Sequence, residues 1–188
     1  MIWEHGNGTW EEEKFTLDLD FLNLPYYLDD KIKLKQSTAI LRYLAQKYDL
    51  NGETEEEKLR ISLIEQQIKD LGILFFQSAG LSDSDEAKKY SLKVARDSLR
   101  LYSKFLRDRN FFGGSNISHV DFMIYNKFDF HVLFSRTILD DFPNLKTYIK
   151  IFRSLPELQE YLNSTFYIRR PIVGIPGVCA CGSSGYMP

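Results

Sequence analysis

Asn23-Leu24-Pro25-Tyr26-Tyr27-Leu28-Asp29-Asp30-Lys31-Ile32-Lys33-Leu34-Lys35-Gln36-Ser37 is the stretch on which the fold of this 188-residue chain turns. Short β-like runs around Leu24–Leu28 and Ile32–Leu34 flank the turn Asp29-Asp30-Lys31, which predicts a modest antiparallel hairpin. Ser37 then stands as the N-cap of a helix with apolar positions Ile40, Leu41, Leu44 and Tyr48, and Asn51-Gly52 stops it. One hairpin and one helix bury too little surface to be stable alone. More chain must complete the fold.

Downstream, from Thr54, the pattern is wholly helical. Thr54-x-x-Glu57 forms a capping box, and Leu59, Leu63, Ile64, Ile68, Leu71 and Phe75 give a stripe at helical spacing. A second long helix carries Val94, Leu99, Tyr102, Phe105 and Leu106 on one face. Gly113-Gly114-Ser115-Asn116 breaks the chain, and Ser118-x-x-Asp121 starts a third helix with Ile117 and Phe122 placed for a hydrophobic staple. That cap predicts a loss of about 1 kcal/mol for Asp121→Ala. Leu145, Tyr148, Ile149 and Phe152 mark a shorter helix, and Pro156 starts another around Leu158 and Leu162. The tail from Pro171 is rich in Gly and Pro and is expected to be loosely ordered.

The composition excludes several classes. At 44% hydrophobic, with 14 Phe, 11 Tyr and 2 Trp, the chain is no disordered protein. Lys+Arg 24 against Asp+Glu 26 leaves a net charge of −2, without the basic excess of a nucleic-acid domain. No apolar run is long enough to span a membrane, and the first residues lack the pattern of a secretory signal. Cys179 and Cys181 stand one residue apart and make a poor structural disulfide, so a reducing, cytoplasmic setting is expected. They have no neighbouring His for zinc, and His5, His119 and His131 show no metal-ligand spacing. A phosphate loop and a locally ordered Ser/His/Asp set are equally missing.

The order of these pieces resembles a cytosolic glutathione transferase. The wording is closest to the mu class and its mite and helminth relatives. Asn23-Leu24-Pro25-Tyr26, Gln36-Ser37 opening a helix, and a helical half with Ser118-x-x-Asp121 carry the likeness. So do Trp10-Glu11-Glu12-Glu13-Lys14-Phe15, Leu19-Asp20-Phe21-Leu22, Gly52-Glu53-Thr54-Glu55-Glu56-Glu57-Lys58 and Phe142-Pro143-Asn144-Leu145-Lys146. It runs from about residue 9 to about residue 171.

The resemblance implies an α+β thioredoxin-like N-terminal domain, truncated at its start, and an all-α C-terminal bundle, assembled as a homodimer. Residues 1–50 would be the partial glutathione-binding domain, 54–170 the helical domain and 171–188 an irregular tail. The implied reaction joins the glutathione thiol to small hydrophobic electrophiles, a detoxification step with glutathione as co-substrate and no cofactor. By resemblance, Pro25 is a cis-proline that exposes the backbone of Leu24 to the tripeptide; read alone, it is an ordinary edge-strand proline. Gln36 and Ser37 would receive the γ-glutamyl carboxylate at a helix N-terminus, where free N–H groups and the helix dipole favour an anion. Trp10 and Lys14 would grip the glycine end, Asn23 would line the site, and Asp70 would reach the partner subunit's glutathione. Phe21 would enter the partner's hydrophobic pocket, whereas Ser118 and Asp121 would be a structural cap.

One departure stands out. The family opens with a β-α-β unit of about 30 residues or more, and only nine residues precede Trp10. The family's catalytic tyrosine lies in that unit and favours the thiolate; a free thiol, with pKa about 8.5, is mostly protonated at neutral pH. No Tyr occurs before Tyr26, so no catalytic residue is assigned and turnover of this chain is expected to be negligible. The alternative reading is a non-enzymatic member that keeps the bundle as a binding or structural protein.

Overall fold

In a computed structural model, which describes residues 25–29, 31–79, 85–165 and 167, the chain divides between Leu50 and Asn51 into two units. The first contains the expected hairpin. Strands β1 (Tyr26–Leu28) and β2 (Lys33–Lys35) pair antiparallel with Tyr26 opposite Lys35 and Leu28 opposite Lys33. Asp29 closes the turn by accepting the N–H groups of Lys31 at 3.1 Å and Ile32 at 2.9 Å. The same carboxylate ties the hairpin to helix α1 (Ser37–Lys47), accepting the Tyr27 and Tyr43 hydroxyls and the Lys47 ammonium. The Lys31 N–H, foremost among these donors, helps hold the Asp29 carboxyl far below the usual carboxylate range. Its charge therefore survives mild acid.

Three expectations about α1 are corrected. Ile40 and Ala45 are its buried residues, while Tyr48 is 62% exposed and follows the helix as its C-cap. The helix ends at Lys47, before Asn51-Gly52, because Asp49 turns into the left-handed region at φ 56°. The N-cap is Gln36, and Ser37 is the first helical residue.

The second unit holds five helices among its described residues: α2 (Glu55–Ala79), α3 (Asp85–Leu106), α4 (His119–Phe134), α5 (Pro143–Arg153) and α6 (Pro156–Leu162). Helix α2 packs on α3 and α4, and α5 packs on α3. Ile61, Ile64 and Ile68 are the face of α2 that enters the core. Leu59 and Leu63, expected in that stripe, are 71% and 63% exposed. At about 100° per residue they point about 150° away from the buried isoleucines. The helix therefore carries two exposed leucines on the side opposite its buried isoleucines, beside the exposed Glu56, Gln66 and Asp70. The stripe positions Leu71 and Phe75 lie on the part of α2 whose side chains fall outside the described ones.

Helices α3 and α5 bury the faces read from their spacing. Leu99, Tyr102 and Leu106 of α3 are buried, with Phe105 packed partly against them and Val94 half-buried. Leu145, Tyr148 and Phe152 of α5 are buried too. Phe112, fully buried in the α3–α4 connection, sits at the centre. Its ring meets Tyr148 edge-on at 5.0 Å and lies 6.0–6.4 Å from Tyr102, Phe128 and Phe105. Gly113 belongs there because a Cβ would stand 3.0 Å from that of Ser118.

Capping fixes the helix starts. Glu57 accepts the N–H groups of Glu53, Thr54 and Ser115, so the box read at Thr54 also pins the α3–α4 connection. Asp121 does more at α4. It accepts the Ser118 N–H at 2.9 Å, the Ser118 hydroxyl at 2.8 Å and the Phe112 N–H at 2.8 Å, all buried. Half of the expected staple is displaced: Ile117 packs on the core, while Phe122 is exposed and meets Phe152 edge-on at 5.3 Å. The tail from Pro171 lies outside the described residues.

Candidate functional site

Helix α1 begins in an unusual way. Gln36 adopts φ 70° and ψ 111°, a left-handed φ for a residue with a Cβ, which costs on the order of 1 kcal/mol. This backbone bend carries the chain from β2 straight into the helix. The Ile40 N–H closes the first turn onto the Gln36 carbonyl at 3.0 Å. The amides of Ser37, Thr38 and Ala39 come before that first bond, and among the described residues no side chain caps them. Gln36, Ser37 and Ala39 are exposed. The result is an open, uncapped helix N-terminus with a free dipole end, suited to an anion such as a carboxylate.

This revises the expected role of Ser37. Its hydroxyl does not cap the helix, so it can serve a ligand without competing with the fold. Gln36 shares the turn with it. Trp10, Lys14, Phe21, Asn23 and Leu24 lie outside the described residues; Pro25, next to Leu24, is half-buried.

In the helical unit, Asp70 is exposed on α2. Burial foremost, and then the Asp70 charge, raise the pKa of the buried Tyr102 phenol, which places the carboxylate beside the α3 side of the helix. Ser118 and Asp121 are fully committed to the buried cap and have no surface to offer a ligand. Burial pushes the Asp121 carboxyl up, opposed by the Phe112 and Ser118 donors.

Sequence reasoning missed two clusters. Arg60 donates to the carbonyls of Phe112 and Phe105 and lies 3.8 Å over the Phe105 ring, closing the end of α3. It lines a cavity of about 590 Å³ together with Glu57, Arg109 and Gly114. The other cluster is Glu65 of α2 with His119 of α4, both buried. Neither had a local signal, since the partners of Arg60 lie 45 and 52 residues away.

Comparison with known proteins agrees with the fold and the order of motifs. Residues 69–165 match the family model "Glutathione S-transferase, C-terminal domain". The chain is 40% identical to mouse glutathione S-transferase Mu 6 over 169 residues, which cover 90% of this chain and 78% of the relative. It is 40% identical to human glutathione S-transferase Mu 1 over 173 residues, with the same coverage. Among solved structures, the glutathione S-transferase Blo t 8 matches at TM-score 0.73 and 29% identity, over 82% of this chain and 74% of that one. The pi-class glutathione S-transferase of Onchocerca volvulus matches at TM-score 0.67 and 31% identity, over 73% and 68%.

Proposed function

Since the chain belongs to the glutathione S-transferase family, with mu-class relatives, we propose that it holds glutathione at the start of α1. The chain is a glutathione transferase, with a thioredoxin-like and a helical part, and takes glutathione as co-substrate without a cofactor. The site is the proposed element. The γ-glutamyl carboxylate lies on the uncapped amides and the Ser37 hydroxyl, beside Gln36. Leu24, next to Pro25, pairs with the tripeptide backbone, Asn23 lines the site, and Trp10 and Lys14 hold the glycine end. Small hydrophobic electrophiles are the second substrate. The observation that carries this reading is the exposed N-terminus of α1, with no side-chain cap and a left-handed Gln36 before it.

Ser37→Ala tests it. Glutathione affinity should fall by about 1–3 kcal/mol, the cost of leaving a charged group without a donor. The thermal midpoint should hardly move, because no cap bond is lost. Equal affinities by calorimetry would remove Ser37 from the site.

A homodimer in the cytoplasm is the proposed state. Leu59 and Leu63 are exposed on one side of α2, and a second copy would bury them. Phe21 is a further dimer contact, and Asp70 would reach the partner's glutathione. The reducing setting rests on the two tail cysteines and the thiol substrate. Burying each leucine contributes about 1.5–3 kcal/mol. Leu59→Glu with Leu63→Glu should therefore turn a dimer into a monomer in sedimentation, with helix content unchanged. An unchanged sedimentation coefficient would place the interface elsewhere.

A further inference from the structure

Away from the core, α3 presents a row of like charges. Lys89, Lys93, Arg96, Arg100 and Lys104 are all exposed, at successive spacings of four, three, four and four residues. At about 100° per residue they stay within about 80° of arc, and at about 1.5 Å per residue the row is about 22 Å long. Its middle lies about 140° around the helix from the buried Ala95, Leu99, Tyr102 and Leu106. Among the described residues only Arg100 of the five has an ion pair, with Asp97 at 2.9 Å on the exposed surface. Tyr90 and Leu101, 60% and 59% exposed, stand together on one flank of the row, about 80–100° from its middle. We propose that this ridge docks the protein on an anionic lipid surface, the cations meeting headgroups while Tyr90 and Leu101 enter the interface.

Charge and side-chain type together choose this partner. A straight row on one side of a helix can touch a flat surface with all five cations at once, and long Lys and Arg stems keep their apolar parts against the helix as the charged ends reach outward. An anionic leaflet attracts such a cluster, within about a Debye length. The flank fits the same partner, since tyrosine favours headgroup depth and an apolar side chain beside cations adds a second attraction. A nucleic acid would use the cations but offer Leu101 nothing to enter. The whole chain, at a net charge of −2, has no long-range field to draw a free polyanion from solution.

The acids of α3 leave the row unbroken. Asp85 and Glu86 lie in the first turn, ahead of Lys89, where the helix dipole favours them. Asp97 stands on the Tyr90–Leu101 side. The attachment is therefore peripheral, reversible and sensitive to salt.

The test is sedimentation of the full chain with vesicles of phosphatidylcholine, alone or mixed with phosphatidylserine, at low and high salt. The wild type should sediment with the mixed vesicles only, and high salt should release it. Lys93→Glu with Arg96→Glu should weaken binding about tenfold or more, since each lost cation removes attraction and each new anion adds repulsion. Leu101→Ser should weaken it less and leave the salt dependence in place. All three positions are exposed, so helix content and thermal midpoint should hold. Equal binding of the wild type and the double variant, or of neutral and mixed vesicles, overturns the proposal. So does retention by duplex DNA with no binding to mixed vesicles, which would make the row a nucleic-acid surface. Should the double variant fail to fold, the wild type decides: no binding to mixed vesicles, or binding that survives high salt, refutes the lipid dock.

Discussion

Asp121→Ala is expected to cost the helical unit about 3 kcal/mol, well above the value of a simple helix cap. The carboxylate is fully buried and accepts from the Phe112 N–H, the Ser118 N–H and the Ser118 hydroxyl. Alanine leaves two backbone donors without acceptors and away from water, and each such group costs about 1–3 kcal/mol. The effect also travels, since Phe112 is the ring around which Tyr102, Phe128 and Tyr148 are arranged. The urea midpoint should fall by about 1–2 M. Asp121→Asn should cost less, because its carbonyl oxygen can keep one of the bonds. A drop near 1 kcal/mol would mean that the Phe112 N–H finds another acceptor.

Phe112→Ala should be at least as costly, at about 3–5 kcal/mol. The ring is fully buried, so truncation opens a cavity at the junction of α3, α4 and α5 rather than at an edge. Phe122→Ala makes the control. That ring touches Phe152 but is 37% exposed, and its removal should cost about 1 kcal/mol or less. Similar losses in the two variants, measured by urea unfolding, would contradict this picture of the core.

Helical spacing made α3 and α5 legible, because Leu99, Tyr102 and Leu106 share one face of α3 and Leu145, Tyr148 and Phe152 one face of α5, although Tyr90 and Leu101 of α3 are exposed. It misjudged α2, where two leucines stand opposite the buried isoleucines and composition cannot say which of them are covered. The box at Ser118 and Asp121 was readable from its spacing of three residues. Its third partner, the Phe112 N–H, was not, since the bond reaches back nine residues to a loop. Gln36 was missed as a cap because glutamine is no favoured cap residue and a positive φ has no signature outside glycine. Asp29 read as a turn residue, yet two of its partners, Tyr43 and Lys47, stand 14 and 18 residues away. Of the candidate site, the helix start at Gln36-Ser37 was visible in the sequence. Its exposure and its lack of a cap required coordinates.

The central claim is that glutathione's γ-glutamyl carboxylate rests on the first amides of α1. Titrating the full chain with glutathione, while following backbone amide shifts by NMR, tests it most directly. Ser37, Thr38 and Ala39 should show the largest shifts among the described residues, saturating together with the heat of binding, and Ser37→Ala should weaken all three. If glutathione saturates the protein and these three amides stay in place, the tripeptide binds elsewhere and the account is wrong.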